Sequence, residues 1–199
     1  MNHRLWFGIA CASAIFVLLI IYPSNVQAAK NKSSPAINKA EVSSSAFEDM
    51  TPVLHNPRCM NCHSSGDFPR QGDDSHPHIM DIRRGPDGHG VNGVKCSTCH
   101  QDHNLPGIHM PPGAPDWALP ARATPMIWEG LSDRQLCELF KSPKQNGHRT
   151  IAQIVEHMHT PIVLWGWNPG EGRTPIPDSE KRFLENVKLW ADNGAACPR

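Results

Sequence analysis

The chain has 199 residues, and its 19 Lys and Arg balance 19 Asp and Glu, which leaves no electrostatic footprint for nucleic acid. Hydrophobic residues make up only 39% of the sequence, below the ~45–50% typical of globular domains. With 19 Pro and 15 Gly, long regular elements must be few and side chains alone would make a thin core, so something else must help to fill the interior.

In chain order, residues 1–28 have the plan of an export signal peptide. Arg4 gives a basic start, residues 5–22 are predominantly apolar, and Pro23 precedes the small-residue site Val26-Gln27-Ala28. Cleavage after Ala28 delivers the rest of the chain to the oxidising periplasm. The alternative is an uncleaved N-terminal membrane anchor, because the apolar stretch just reaches the length of a membrane span. Cys11 lies inside this stretch and belongs with it. Residues 29–45 are rich in Lys, Asn, Ser and Ala without apolar periodicity, and read as a flexible tether. Residues 46–199 then form one domain.

Within that domain, Arg84-Gly85-Pro86-Asp87-Gly88 and Pro111-Pro112-Gly113-Ala114-Pro115 predict turns and loops. Helices come later. Ser132 caps a helix over 131–141, with Gln135 reaching back and Leu131 packing on Leu136. Thr150 and Gln153 repeat the pattern ahead of an apolar stripe of Ile151, Ile154, Val155 and Met158, ending by Pro161. Asp178 opens a third helix with Phe183, Leu184, Val187, Trp190 and Ala191 on one face and Asn193-Gly194 as its stop. The longest strand signal covers 161–165. The fold class is therefore mostly α and loop-rich.

The chemistry lies in two copies of one motif, Cys59-Met60-Asn61-Cys62-His63 and Cys96-Ser97-Thr98-Cys99-His100. CxxCH is the signature of covalent haem c attachment. Cysteines three apart share one side of a helical turn, so both sulfurs can form thioethers with one porphyrin. The adjacent imidazole, from His63 or His100, then becomes a proximal iron ligand. A four-thiolate zinc site is the first alternative, but the 33 residues between the pairs exceed the usual ribbon spacing of roughly 15–20, and zinc would not call for a histidine after each pair. A thiol–disulfide exchange motif is the second, and it lacks a strand–helix–strand context. Six cysteines lie beyond the signal. Four go to haem, and Cys137 and Cys197 are left to form a disulfide bond.

The distal iron positions stay open. His76 and His78 flank Pro77 on extended chain, where alternate side chains diverge, so at most one should meet a given iron, and His78 is preferred. His157, beside the apolar stripe of its helix, is the candidate for the other iron. Met126 and Met110 are alternatives, and methionine in place of histidine would raise the reduction potential. Trp165-Gly166-Trp167 suits either a porphyrin face or ordinary core. Arg83, Arg84 and Arg173 suit either haem propionates or solvent.

The two motifs, Pro111-Pro112-Gly113-Ala114-Pro115-Asp116-Trp117, Leu136-Cys137, Ala196-Cys197-Pro198 and the run from Trp165-Gly166-Trp167-Asn168-Pro169 through Gly170-Glu171-Gly172-Arg173 resemble one group. It is the small dihaem c-type cytochromes often labelled isoquinoline 1-oxidoreductase subunits, and the resemblance spans residues 50–198. It implies a loop-rich dihaem cytochrome c whose short helices pack around two covalent haems, with His63 and His100 as ligands. It also implies an electron carrier whose redox partner protein is a molybdenum hydroxylase. Nothing in the chain resembles a molybdopterin or iron–sulfur domain, so catalysis is not expected of it. No nucleic acid is expected as a partner, and a membrane only through an uncleaved signal. The rivals, a dihaem peroxidase-like enzyme and a haem-based redox or gas sensor, would each require an open iron position.

Overall fold

A computed structural model describes residues 38–199; the signal peptide expected over residues 1–28 and residues 29–37 of the expected tether lie outside the described residues. The first element is helix α1, Lys39–Leu54, capped by the Asn38 side chain, which accepts from the Ala40 N–H at 3.1 Å. The tether expected over 29–45 therefore does not extend past Asn38. Ser43, which reads in sequence as a solvated residue, is fully buried. Its hydroxyl donates to the Trp190 carbonyl at 2.7 Å and accepts from the Ala196 N–H at 2.9 Å, so tertiary contact fixes a segment with no apolar pattern of its own.

Ser43, Ala46, Phe47, Met50 and Leu54 make up the buried face of α1 at helical spacing. Pro52 inside this helix cannot donate to the Glu48 carbonyl. The Thr51 hydroxyl donates there instead, at 2.8 Å.

The three helices expected over 131–141, after Thr150 and after Asp178 all form, and short ones join them. Helix α2 is a single turn, Pro57–Met60, and α3, Asp133–Lys141, has the capping box of Ser132 and Gln135. The box of Thr150 and Gln153 opens α4, Ile151–His157. One short helix, α5, covers Pro161–Leu164 and leads into a 3₁₀ turn over Trp165–Trp167, where the sequence signalled a strand. Pro161 is preset for the first helical position, and that local preference prevails over the β-branched Ile162 and Val163. The last helix, α6, covers Glu180–Asp192 and is capped by Ser179 rather than Asp178.

The only strands among the described residues are two-residue pairs. Antiparallel β1 (Arg70–Gln71) and β2 (His76–Pro77) form one hairpin, and β3 (Gly90–Val91) and β4 (Val94–Lys95) form another.

Helices α1, α3 and α6 enclose the core. Phe47 meets Phe140 edge-on at 5.8 Å and Trp190 at 5.5 Å. Cys137 and Cys197 form the expected disulfide, with Cα atoms 5.6 Å apart. The bond ties α3 to the segment after α6. At its other end the core continues through Phe140 to Trp128, 5.3 Å away, and Trp128 leads into the first motif.

Candidate functional site

Asn56 caps α2, its side chain accepting from the Arg58 N–H at 2.9 Å, and this turn carries the first motif. The Cys62 and His63 N–H groups both return to the Cys59 carbonyl at 3.2 Å, so the motif winds as one helical turn and presents its two sulfurs together. Neither thiol is disulfide-bonded. Burial pushes Cys59 up to about 12 and Cys62 up to about 11, so both are neutral thiols.

The His63 imidazole is fixed from two sides. Nδ1 lies 3.0 Å from the Met126 carbonyl oxygen, which can only accept, so Nδ1 carries the proton and Nε2 keeps a free lone pair. The Trp128 ring lies parallel to it at 3.6 Å, and the Trp128 N–H donates to the His63 carbonyl at 2.9 Å. Desolvation lowers the His63 pKa to about 3, so the ring is neutral at ordinary pH, as a metal-ligating imidazole must be.

These groups open onto a cavity of about 530 Å³ lined by Cys59, Cys62, His63, Met126, His157 and Met158, among others. Its size falls within the roughly 300–1,000 Å³ usual for small-molecule and cofactor sites. Arg58 and Arg149 also line it. The Arg58 guanidinium is already paired with Asp73 and donates to the Thr174 carbonyl at 3.1 Å, which leaves Arg149 as the candidate for a haem carboxylate that sequence reasoning did not name.

The second motif follows β4 as a 3₁₀ turn over Cys96–Thr98, with the Cys99 and His100 N–H groups returning to the Cys96 carbonyl at 3.1 and 2.9 Å. Its histidine is held in the same way. His100 Nδ1 lies 2.7 Å from the Pro112 carbonyl oxygen, and the Trp117 ring lies parallel at 4.5 Å. Asn104 secures this arrangement. Its Oδ1 accepts from the Gly113 N–H at 3.1 Å and the Trp165 indole N–H at 2.9 Å, and Trp165 in turn meets Trp117 edge-on at 5.0 Å.

The second site is more exposed than the first. Cys99 is exposed, and large apolar side chains on the flanking segments face solvent: Ile79 at 61%, Met80 at 75%, Ile108 at 63%, with Val94 and Met110 less so. Apolar surface of this kind beside two free thiols and an imidazole suits a flat apolar group lying over it.

Both sites thus consist of a CxxCH turn, a backbone carbonyl on Nδ1 and a tryptophan stacked on the ring. Sequence reasoning missed Trp117, Trp128 and Asn104 as parts of these sites. The available signal was that Pro112 and Met126 each lie in a proline-containing run that ends in tryptophan within five residues.

The other candidates separate as follows. His157, at the end of α4, is half-buried and lines the first cavity with Met158 and Met126. The His78 ring lies 6.2 Å from that of His100. His76 has both ring nitrogens engaged, Nδ1 with Asp74 at 2.6 Å and Nε2 with the Gln71 amide at 3.0 Å, which leaves no nitrogen for a metal. Met110 is partly exposed, and its carbonyl accepts from Arg173.

Trp165 packs at the second site, whereas Trp167 lines the first cavity and donates to the Asp178 carbonyl at 2.7 Å. Arg83 pairs with Asp81 at the surface. Arg84 is neither a surface residue nor part of the cavity lining. It is 1% exposed and donates to the Pro120 carbonyl at 2.8 Å and to those of Ser64 and Gly66 at 3.4 Å. It therefore clamps the chain after the first motif to the segment that leads to Met126.

Among the described residues no three His, Cys, Asp or Glu side chains converge to hold a metal ion. Comparison with protein-family models, with curated proteins and with solved structures finds no match to this chain.

Proposed function

We propose that this chain is an exported, periplasmic dihaem cytochrome c that carries electrons. In this reading haem c is attached through Cys59 and Cys62 with His63 as proximal ligand, and again through Cys96 and Cys99 with His100. The observation that carries it is the twofold occurrence of one arrangement. In each motif two free thiols share a turn with an imidazole whose Nδ1 is bound to a carbonyl and whose Nε2 is free. The stacked tryptophans and the carbonyls orient each ring, the outer-shell role that metal-ligating histidines ordinarily require.

Haem iron bound at these positions supplies a one-electron couple whose potential depends on axial ligand, burial and hydrogen bonding. The protein's own residues do the rest. Val53, Leu54, Ile154 and Val163 line the first site with Cys59, Cys62 and His63 and would pack on a porphyrin there, and Arg149 is placed to balance carboxylate charge. The exposed surroundings of the second motif make it the place where a partner protein exchanges electrons. The resemblance of the motif set points to a molybdenum hydroxylase as that partner.

The test is optical. The exported protein, purified from a host competent in cytochrome maturation, should give the spectrum of two covalent haems that cycle between oxidised and reduced forms without peroxide turnover. Carbon monoxide binding to the wild-type protein together with peroxide turnover would indicate the peroxidase-like enzyme. Carbon monoxide binding without turnover would indicate a sensor.

A further inference from the structure

We propose that His78 is the trans axial ligand of the iron held by His100, so that the second haem is a bis-histidine centre whose distal ligand comes from the segment following the first motif. This rests on the dihaem reading and goes further, because it assigns a ligand to a particular iron.

The first argument is distance. The His78 and His100 ring centres are 6.2 Å apart, with planes 63° apart. Two imidazoles on opposite sides of one metal, with bonds of about 2 Å and about 1 Å from nitrogen to ring centre, place their centres about 6 Å apart. The twist is compatible with two rings sharing an axis. Direct stacking would bring the rings closer, and unrelated side chains need not keep this separation.

The second argument concerns protons. His78 Nδ1 lies 2.7 Å from the Ile79 carbonyl oxygen and His100 Nδ1 lies 2.7 Å from that of Pro112. Both carbonyls can only accept, so each ring is protonated on Nδ1 and each Nε2 offers a lone pair. His76, two residues away, has both its nitrogens engaged elsewhere. Met110 is exposed, and its carbonyl is held by Arg173.

The backbone holds His78 in place. Its N–H donates to the Pro69 carbonyl at 3.0 Å, and the Ile79 N–H donates to the Gln71 side chain at 3.3 Å. Immediately afterwards Met80 and Asp81 adopt φ values of 66° and 50°, a conformation costly for side-chain-bearing residues and retained where the surroundings demand it. The turn also leaves Ile79 and Met80 exposed beside His78, where a porphyrin edge would cover them.

The experiment is His78→Ala in the full chain, matured with haem and compared with His76→Ala and the wild type. Covalent haem count by intact mass tests the dihaem reading separately from the ligand. The expected His78→Ala protein keeps both haems, but electron paramagnetic resonance shows one of the two converted from low to high spin. Its reduced form binds one equivalent of carbon monoxide that the wild type does not, and added imidazole restores the low-spin signal. His76→Ala should match the wild type. Near-infrared magnetic circular dichroism of the wild type needs no variant and should show a bis-histidine haem. Two haems that both stay six-coordinate in His78→Ala, or a wild type without any bis-histidine haem, would overturn the assignment. A wild type without covalent haem would overturn the dihaem reading along with it.

Discussion

Trp128 lies parallel to His63, the ring centres 3.6 Å apart and the planes within 5°. On its other side Trp128 meets Phe140 of the core at 5.3 Å. The candidate proximal histidine is therefore an extension of the aromatic core. The stability of the helical core and the orientation of the imidazole should accordingly be coupled through one side chain.

Trp128 is 4% exposed, and truncating a buried tryptophan costs about 3–5 kcal/mol. Trp128→Ala should lose about that much in denaturant titration and also shift the spectrum of one haem. Trp128→Phe, which keeps a ring against His63, should retain the spectrum and most of the stability. Equal spectra for the Ala and wild-type proteins would argue that the stack has no role at the site.

Asn104 gives a test confined to the second site. Asn104→Leu removes the acceptor for the Gly113 N–H and the Trp165 indole, at a cost of about 1–3 kcal/mol. It should loosen the run that carries Pro112. Redox titration should show one of two potentials displaced more than the other, whereas displacement of neither would contradict the role of Asn104 at the second site.

Cys137→Ser should leave the haem spectrum intact and lower the melting temperature. The bond joins residues 60 apart in sequence, and closing a loop of that size contributes about 4 kcal/mol on the chain-entropy model. A melting curve unchanged by the substitution would argue against that contribution.

Ser43→Ala tests whether residues read as tether belong to the fold. The change leaves the Trp190 carbonyl and the Ala196 N–H without their partner, which should cost about 1–3 kcal/mol. Chemical denaturation measures it, and a loss under a few tenths would restore the tether reading for this segment.

These contrasts show where sequence is informative. Ser132 with Gln135 and Thr150 with Gln153 carry the helix-starting chemistry in the local sequence, and both capping boxes form. The Cys137–Cys197 pairing follows from counting the thiols that the two CxxCH motifs leave over. By contrast, Ser43 gives no local signal because its reason for burial lies near Trp190 and Ala196, about 150 residues away in sequence. Arg84 reads as a cation for haem propionates or solvent, but its partners are carbonyls contributed by Ser64, Gly66 and Pro120, and no sequence pattern marks a carbonyl as an acceptor. The pairing of Trp128 with His63 and of Trp117 with His100 was hidden for a related reason. The two tryptophans stand at unequal distances from their motifs, so the duplication exists in space and not as a sequence repeat.

The most direct test of the central claim is the intact mass of the exported chain after expression with a cytochrome maturation system, before and after Cys59→Ser/Cys62→Ser and Cys96→Ser/Cys99→Ser. The account predicts polypeptide plus two haems for the wild type and plus one haem for each double variant. A colourless wild-type protein with the mass of polypeptide alone would contradict it.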